Sequence, residues 1–143
     1  MRAYPTHVVD ASVVVKWFSG LEEDVENAVK LLSSHVEGTS PLASSSLVLY
    51  EVCNALRFNP NLGEDDLSKA ARSLLKLELE LVDFPDIFEA TIALAFSRDI
   101  TIYDAAYIAV SQTYHIPLIT ADYKLLTKIR GIPLVMPLRE MKL

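Results

Sequence analysis

Residues Thr101–Asp122 read TIYDAAYIAVSQTYHIPLITAD. The first half is helical in character. Small and apolar residues fill Ala105 to Val110, and Thr101 stands three residues before Asp104, in the place of a capping residue. The spacing predicts a helix from about Tyr103 to Tyr114. Pro117-Leu118-Ile119-Thr120 then reads as a short, largely apolar strand, and Asp122 follows it. Ionised acids resist burial without a partner. A carboxylate at each end of so apolar a segment therefore asks what else gathers there.

Working outward, the rest of the chain repeats the alternation. THVVDAS reads as a short buried strand ending at Asp10, with the β-branched Val8 and Val9 inside it. SVVVKWF continues as helix. EEDVENAVKLLSSH, from Glu22 to His35, is an amphipathic helix with Val25, Ala28, Val29 and Leu32 on one face, ended by Gly38. TSPLA is a short strand. SSSLVLYEVCNALRF opens with serines suited to an N-cap and runs as helix to about Phe58, with Leu49, Val52, Cys53 and Leu56 as its core stripe. After the loop NPNLG comes the helix EDDLSKAARSLLKLE, with Leu67, Ala70, Ala71, Leu74 and Leu75 together. LELVDF is a strand. PDIFEATIALAFSRD is a helix opened by Pro85. DYKLLTKIR is a short helix closed by Gly131, and IPLVMP is a last strand. Strands alternating with helices predict an α/β fold in three layers, a central parallel sheet flanked by helices. Strands buried on both faces are expected to be continuously apolar, as these are.

The chain has 143 residues and fits one domain spanning 1–143. No apolar run reaches the ~18 residues of a membrane span, and no secretory signal pattern is visible. The single Cys53 forms no internal disulfide and fits a small core residue in a reducing, cytoplasmic setting. The net charge of −6 argues at first against nucleic acid. Setting four of the nineteen acids aside as metal ligands leaves fifteen against thirteen bases, a balance of −2.

In open parallel sheets, sites form beyond the carboxyl ends of the strands. Asp10 and Asp122 each end a strand. Asp104 lies in the first turn of a helix that starts at the same rim, and Glu51 lies near the second turn of a helix that follows a strand. Each has a plainer reading: Asp10 and Asp122 as N-caps, Asp104 as part of a cap or a dipole partner, Glu51 as a solvated helix residue. Together, four acids at one rim repel one another unless a cation compensates. An all-oxygen set selects Mg²⁺ or Mn²⁺. His7, His35 and His115 are scattered and read as structural or exposed, which excludes a zinc cluster.

VVDASVVVKW, SLVLYEVCNAL and TIYDAAYIAVSQTYHIPLITAD together resemble a PIN domain, and specifically the VapC-type toxin ribonucleases of prokaryotic toxin–antitoxin pairs. The resemblance spans nearly the whole chain. It implies Mg²⁺- or Mn²⁺-dependent endoribonuclease activity, an RNA substrate, a small VapB-like antitoxin as partner, and a homodimer, here expected to use helices of the first half. By position it makes Asp10, Glu51, Asp104 and Asp122 the metal-binding, catalytic acids. Thr120 matches the family's hydroxyl near the metal, and Ser12 takes a similar part. Lys16 and Lys124 are candidate RNA contacts, with Arg98, Lys128 and Arg130 behind them; each also reads as a solvated surface charge. The segment RFNPNLGEDDL, Arg57 to Leu67, is long, and marks the region beside the active-site groove as particular to this chain.

Two other folds with strand-end sites fit less well. A phosphorylated receiver domain needs paired acids after the first strand and a lysine after the last; Asp10 has no acidic neighbour and PLVMP has no lysine. A dinucleotide-binding fold needs GxGxxG where this chain has DASVVV. The serious rival is a PIN-like binding module that holds RNA or a protein without cutting.

Overall fold

The computed structural model describes residues 4–20 and 23–142. Five parallel strands form one sheet: β1 (His7–Val9), β2 (Leu42–Ser45), β3 (Glu80–Val82), β4 (Leu118–Thr120) and β5 (Val135–Pro137). Their order is β3-β2-β1-β4-β5. The chain therefore builds outward from β1 in one direction, returns, and builds outward in the other. The reversal lies between β1 and β4, where Val8 pairs with Leu118 and Val9 with Ile119. At such a switch point the connections leave in opposite directions and a crevice opens at the carboxyl end of the sheet.

Helices connect and flank the strands. They are α1 (Ala11–Val14), α2 (Lys16–Ser19), α3 (Val25–Glu37), α4 (Leu47–Arg57), α5 (Glu64–Lys76), α6 (Phe88–Arg98), α7 (Ile102–Tyr114) and α8 (Tyr123–Lys128), with single 3₁₀ turns at Phe84–Asp86 and Leu138–Glu140. The central strands are sealed: Val8, Val9, Leu118 and Ile119 are fully buried. Each such side chain contributes on the order of 2 kcal/mol of burial. The most deeply buried helix is α7, with every residue from Ala105 to Ser111 buried, packed on β1, β2, β4 and α6. That burial accounts for the unbroken apolar run in the sequence.

Several local expectations change. The helix expected in SVVVKWF is two short ones meeting at Val15. Glu22 lies outside the described residues, and α3 begins at Val25. Its buried face is Ala28 and Leu31, while Val29 is exposed. The strand expected in TSPLA sits further along, at Leu42–Ser45, because Ser44 donates its hydroxyl to the Val9 carbonyl (2.6 Å) and so tolerates full burial in the sheet. In α4 the buried stripe is Val48, Val52 and Leu56. Leu49 and Cys53 are only partly buried, so Cys53 is not a core residue. In α5, Leu74 is buried but Leu75 is exposed. Pro85 forms its own 3₁₀ turn and α6 starts later, at Phe88. Among the histidines, His35 is a structural pin. Its Nδ1 accepts from the Leu42 N–H (3.0 Å), so Nε2 carries the proton and donates to the Leu77 carbonyl (2.6 Å).

Candidate active site at the switch point

Asp10 leaves β1 as the N-cap of α1, its carboxylate accepting from the Val13 N–H. It is 5% exposed. Two hydroxyls hold it in place. Ser12 Oγ donates to Oδ1 (2.5 Å) and accepts from the Ala121 N–H (2.9 Å); Thr120 Oγ1 donates to Oδ2 (2.5 Å) and accepts from the Asp122 N–H (3.1 Å). Ser12 and Thr120 thus tie the end of β1 to the end of β4. Each carboxylate oxygen has two acceptor positions. Among the described residues Oδ1 takes Ser12 and Val13, whereas Oδ2 takes Thr120 alone, which leaves Oδ2 with an acceptor position to offer. Burial pushes the carboxyl up to about 6; the three hydrogen bonds pull it back down, and the nearby Asp122 charge adds to the rise.

Glu51 stands on α4 half-buried, and burial likewise raises its pKa, with the Asp104 and Asp122 charges adding to the effect. Its Oε1 accepts from Tyr107 Oη (2.6 Å). Asp104 lies in the first turn of α7, where Thr101 Oγ1 caps its N–H (3.0 Å). Burial and then the Asp122 charge raise it, partly offset by Lys128. Asp122 caps α8 through the Leu125 N–H (3.0 Å). Asp10, Glu51 and Asp104 therefore all lie within the field of Asp122, and the four acids expected from sequence gather at one rim. The plainer reading also holds for Asp10 and Asp122: each is an N-cap as well as a member of the cluster.

Tyr107 is the residue that sequence reasoning missed. It sits one turn beyond Asp104, on the same face of α7, and its buried phenol is driven well above its ordinary value by burial and then by Glu51. It stays a neutral donor and fixes the Glu51 carboxylate. The i, i+3 spacing from Asp104 was the available signal, but a tyrosine in so apolar a helix reads as core.

A cavity of about 410 Å³ opens beside the acids, lined by Asp104, Asp122, Thr101, Lys124 and Lys128 among others. Lys124 and Lys128 thus face the site. Lys16 does not have the exposed position of a surface charge; it is 8% exposed. Arg98 is engaged with the Arg130 carbonyl (2.8 Å), and neither residue lines this cavity. Among the described residues, no three His, Cys, Asp or Glu side chains close into a ready-made metal cage. The donor chemistry nevertheless fits a hard divalent cation: the gathered donors are carboxylate and hydroxyl oxygens, and three of the carboxyls are raised by burial and by the charge of Asp122, Glu51 also by that of Asp104. A cation with water in part of its shell would relieve both.

The family model of the PIN domain matches residues 7–131. Exonuclease VapC9 of Pyrobaculum aerophilum is 29% identical over 127 residues, 87% of this chain and 86% of that protein. Ribonuclease VapC3 of the same organism is 31% identical over 126 residues, 85% of this chain and 92% of that protein. Among solved structures, a toxin–antitoxin complex from Klebsiella pneumoniae superposes with a TM-score of 0.69 at 22% identity, covering 95% of this chain and all of that one.

Proposed function

The chain belongs to the PIN-domain family, and from that membership and its acidic rim we propose that it is a Mg²⁺- or Mn²⁺-dependent endoribonuclease, the toxin of a VapBC-type pair. The observation that carries this reading is the convergence of Asp10, Glu51 and Asp104 on Asp122 at the β1/β4 crevice, with all three carboxyls raised. Such a cluster stores repulsion that only a cation or a proton relieves. Bound there, a divalent ion would supply charge neutralisation at phosphorus and a more acidic water.

The chain's own groups do the rest. Asp10, locked by Ser12 and Thr120, presents Oδ2 to the crevice. Tyr107 holds the Glu51 carboxylate in one orientation, within the field of Asp104 and Asp122. Lys124 and Lys128 offset the charge of the phosphates on either side of the scissile bond. Attack by water forms the new P–O bond as the P–O bond to the leaving ribose oxygen breaks; the water gives up a proton to bulk solvent and the leaving oxygen takes one from it.

The name VapC3 supports RNA as the substrate class, and the name VapC9 raises the question of chain ends. A circular single-stranded RNA answers it, since only an endonuclease opens it. Linearisation in Mg²⁺ or Mn²⁺, lost in EDTA and in Asp104→Asn, is the expected result. Degradation of linear RNA alone would make the protein an exonuclease, and metal-dependent binding without cleavage would make it a binding module.

The likeness to VapC proteins and to a toxin–antitoxin complex supports a small VapB-like antitoxin as partner. No helix among the described residues is long and apolar enough to cross a membrane, in keeping with work on cytoplasmic RNA. We also propose a homodimer. Helix α6 presents Phe88, Ile92 and Phe96, one turn apart and uncovered. Its first turn carries Glu89 and its last turn carries Arg98. Two copies laid antiparallel would match acids to bases, which favours α6 over the helices of the first half.

A further inference from the structure

We infer that a second cavity, opening off the Glu51 side of the acid cluster, is a binding subsite for one unstacked nucleobase of single-stranded RNA next to the scissile phosphate. The cavity measures about 650 Å³ and is walled by Tyr50, Tyr103, Glu51, Asn54 and Arg57 among others. That volume lies in the range of small-molecule sites. The inference rests on the ribonuclease reading above and adds to it where the substrate's base goes.

Four observations select this occupant. Tyr50 is 78% exposed and Tyr103 59% exposed, and each immediately precedes an acid of the cluster, Glu51 and Asp104. Both rings line the same cavity as Glu51, and so stand on the Glu51 side of the acid cluster. Exposed aromatic faces along a backbone path are the stacking platforms of single-strand binders, and they serve any base. Arg57 adds a guanidinium, held over the Phe58 ring at 5.8 Å, which suits a flanking phosphate. Asn54, exposed on α4, adds a donor and an acceptor that suit a base edge. Finally, Glu51 forms part of the wall. Tyr107 already donates to its Oε1, but an apolar protein segment laid across this cavity would bring no donor to the other oxygen, whereas a nucleotide arrives with N–H and O–H donors. Arg57 and Leu67, at the two ends of the long Arg57–Leu67 segment, both line the cavity, so that segment sets its outer edge.

The test is binding of a single-stranded oligoribonucleotide carrying one 2-aminopurine, whose fluorescence falls on stacking. It is measured with Mg²⁺ on the full chain in an Asp104→Asn background that spares the RNA. Stacking is worth about 1–3 kcal/mol per base, so Tyr50→Ala and Tyr103→Ala should each weaken binding on the order of 10-fold and abolish the quench. Tyr50→Phe and Tyr103→Phe should retain both. An oligonucleotide with an abasic site at that position should bind wild type and alanine variants alike. Thermal melts confirm that these exposed substitutions leave the fold intact. Alanine variants that bind and quench as the parent does would overturn the assignment. So would variants that keep RNA affinity but lose affinity for a helical protein partner, which would make the cavity a protein-docking site. Quenching with the expected tyrosine dependence, in a protein that cleaves no RNA, would retire the ribonuclease reading and leave the subsite standing.

Discussion

Replacing Asp10 with asparagine should stabilise the metal-free protein at neutral pH and destabilise it at acid pH. The Asp10 carboxyl is pushed from an ordinary value of 3.8 up to about 6. Each pKa unit corresponds to about 1.4 kcal/mol, so the ionised carboxylate costs the folded state about 3 kcal/mol above pH 6. Below pH ~4 the group is protonated in folded and unfolded chains alike, and the cost is absent. Between the two values the unfolded chain ionises first, so stability falls as pH rises. Asparagine removes this dependence. Its Oδ1 can still accept from Ser12 and Val13, but its amide nitrogen cannot accept from Thr120, a loss of about 1 kcal/mol. The balance is about 2 kcal/mol in favour of Asp10→Asn at pH 7.5, or about 6 °C in Tm for a chain of this size. At pH 4, where the unfolded carboxyl is already about half ionised, the sign reverses, to about 0.5 kcal/mol against it. The assay is thermal unfolding in EDTA at pH 4, 5, 6 and 7.5. A variant no more stable than wild type at pH 7.5, or a difference that ignores pH, would refute the claim that burial strains this carboxylate.

The other predictions concern the remaining acids and the assembly. Glu51→Gln should abolish RNA cleavage and leave the apo Tm unchanged or raised, because Tyr107 can still donate to the amide oxygen while like-charge repulsion falls; lost stability with retained activity would make Glu51 structural. Asp122→Asn should cut far more slowly yet bind RNA without metal at least as well as wild type, since asparagine still caps α8 and one repulsive charge is gone; filter binding across a salt series reads this. In the same series Lys124→Ala should lower the salt slope by about 0.7, the value for one phosphate contact on a single strand. Light scattering should report a homodimer that Phe96→Glu converts to monomer, and a monomer at every micromolar concentration of wild type would rule the dimer out.

Much of this architecture was legible in the sequence because parallel strands and α7 are buried on all sides, so apolar runs such as Ala105–Val110 and Leu118–Ile119 admit few readings. The gathering of acids was legible for a related reason: strand ends and helix starts fix the rim, and the rim fixes where Asp10, Asp104 and Asp122 lie. Half-buried helices were harder. Val29, Leu49 and Leu75 obey the helical period yet fall outside the buried face, because a stripe of apolar residues does not say where its edge lies. Ser44 and Lys16 also resist sequence reading, since a polar residue is buried only if a particular partner, such as the Val9 carbonyl, happens to await it. Tyr107 belongs with them; nothing in its own neighbourhood along the chain names Glu51.

The bond between Thr120 and Asp10 spans 110 positions of sequence, and it has a consequence for biosynthesis. Asp10 is made 110 residues before Thr120, and β1 waits for its β4 neighbour while every element between them is translated. Until Thr120 follows, Asp10 lacks one of its two hydroxyl clamps, Asp122 is missing, and the β1/β4 crevice does not exist. A ribosome that stalls before Thr120 releases a fragment without a site. A nuclease whose site is opened by β1 and completed only by β4 stays inert towards the messenger that encodes it until β4 has been made and paired.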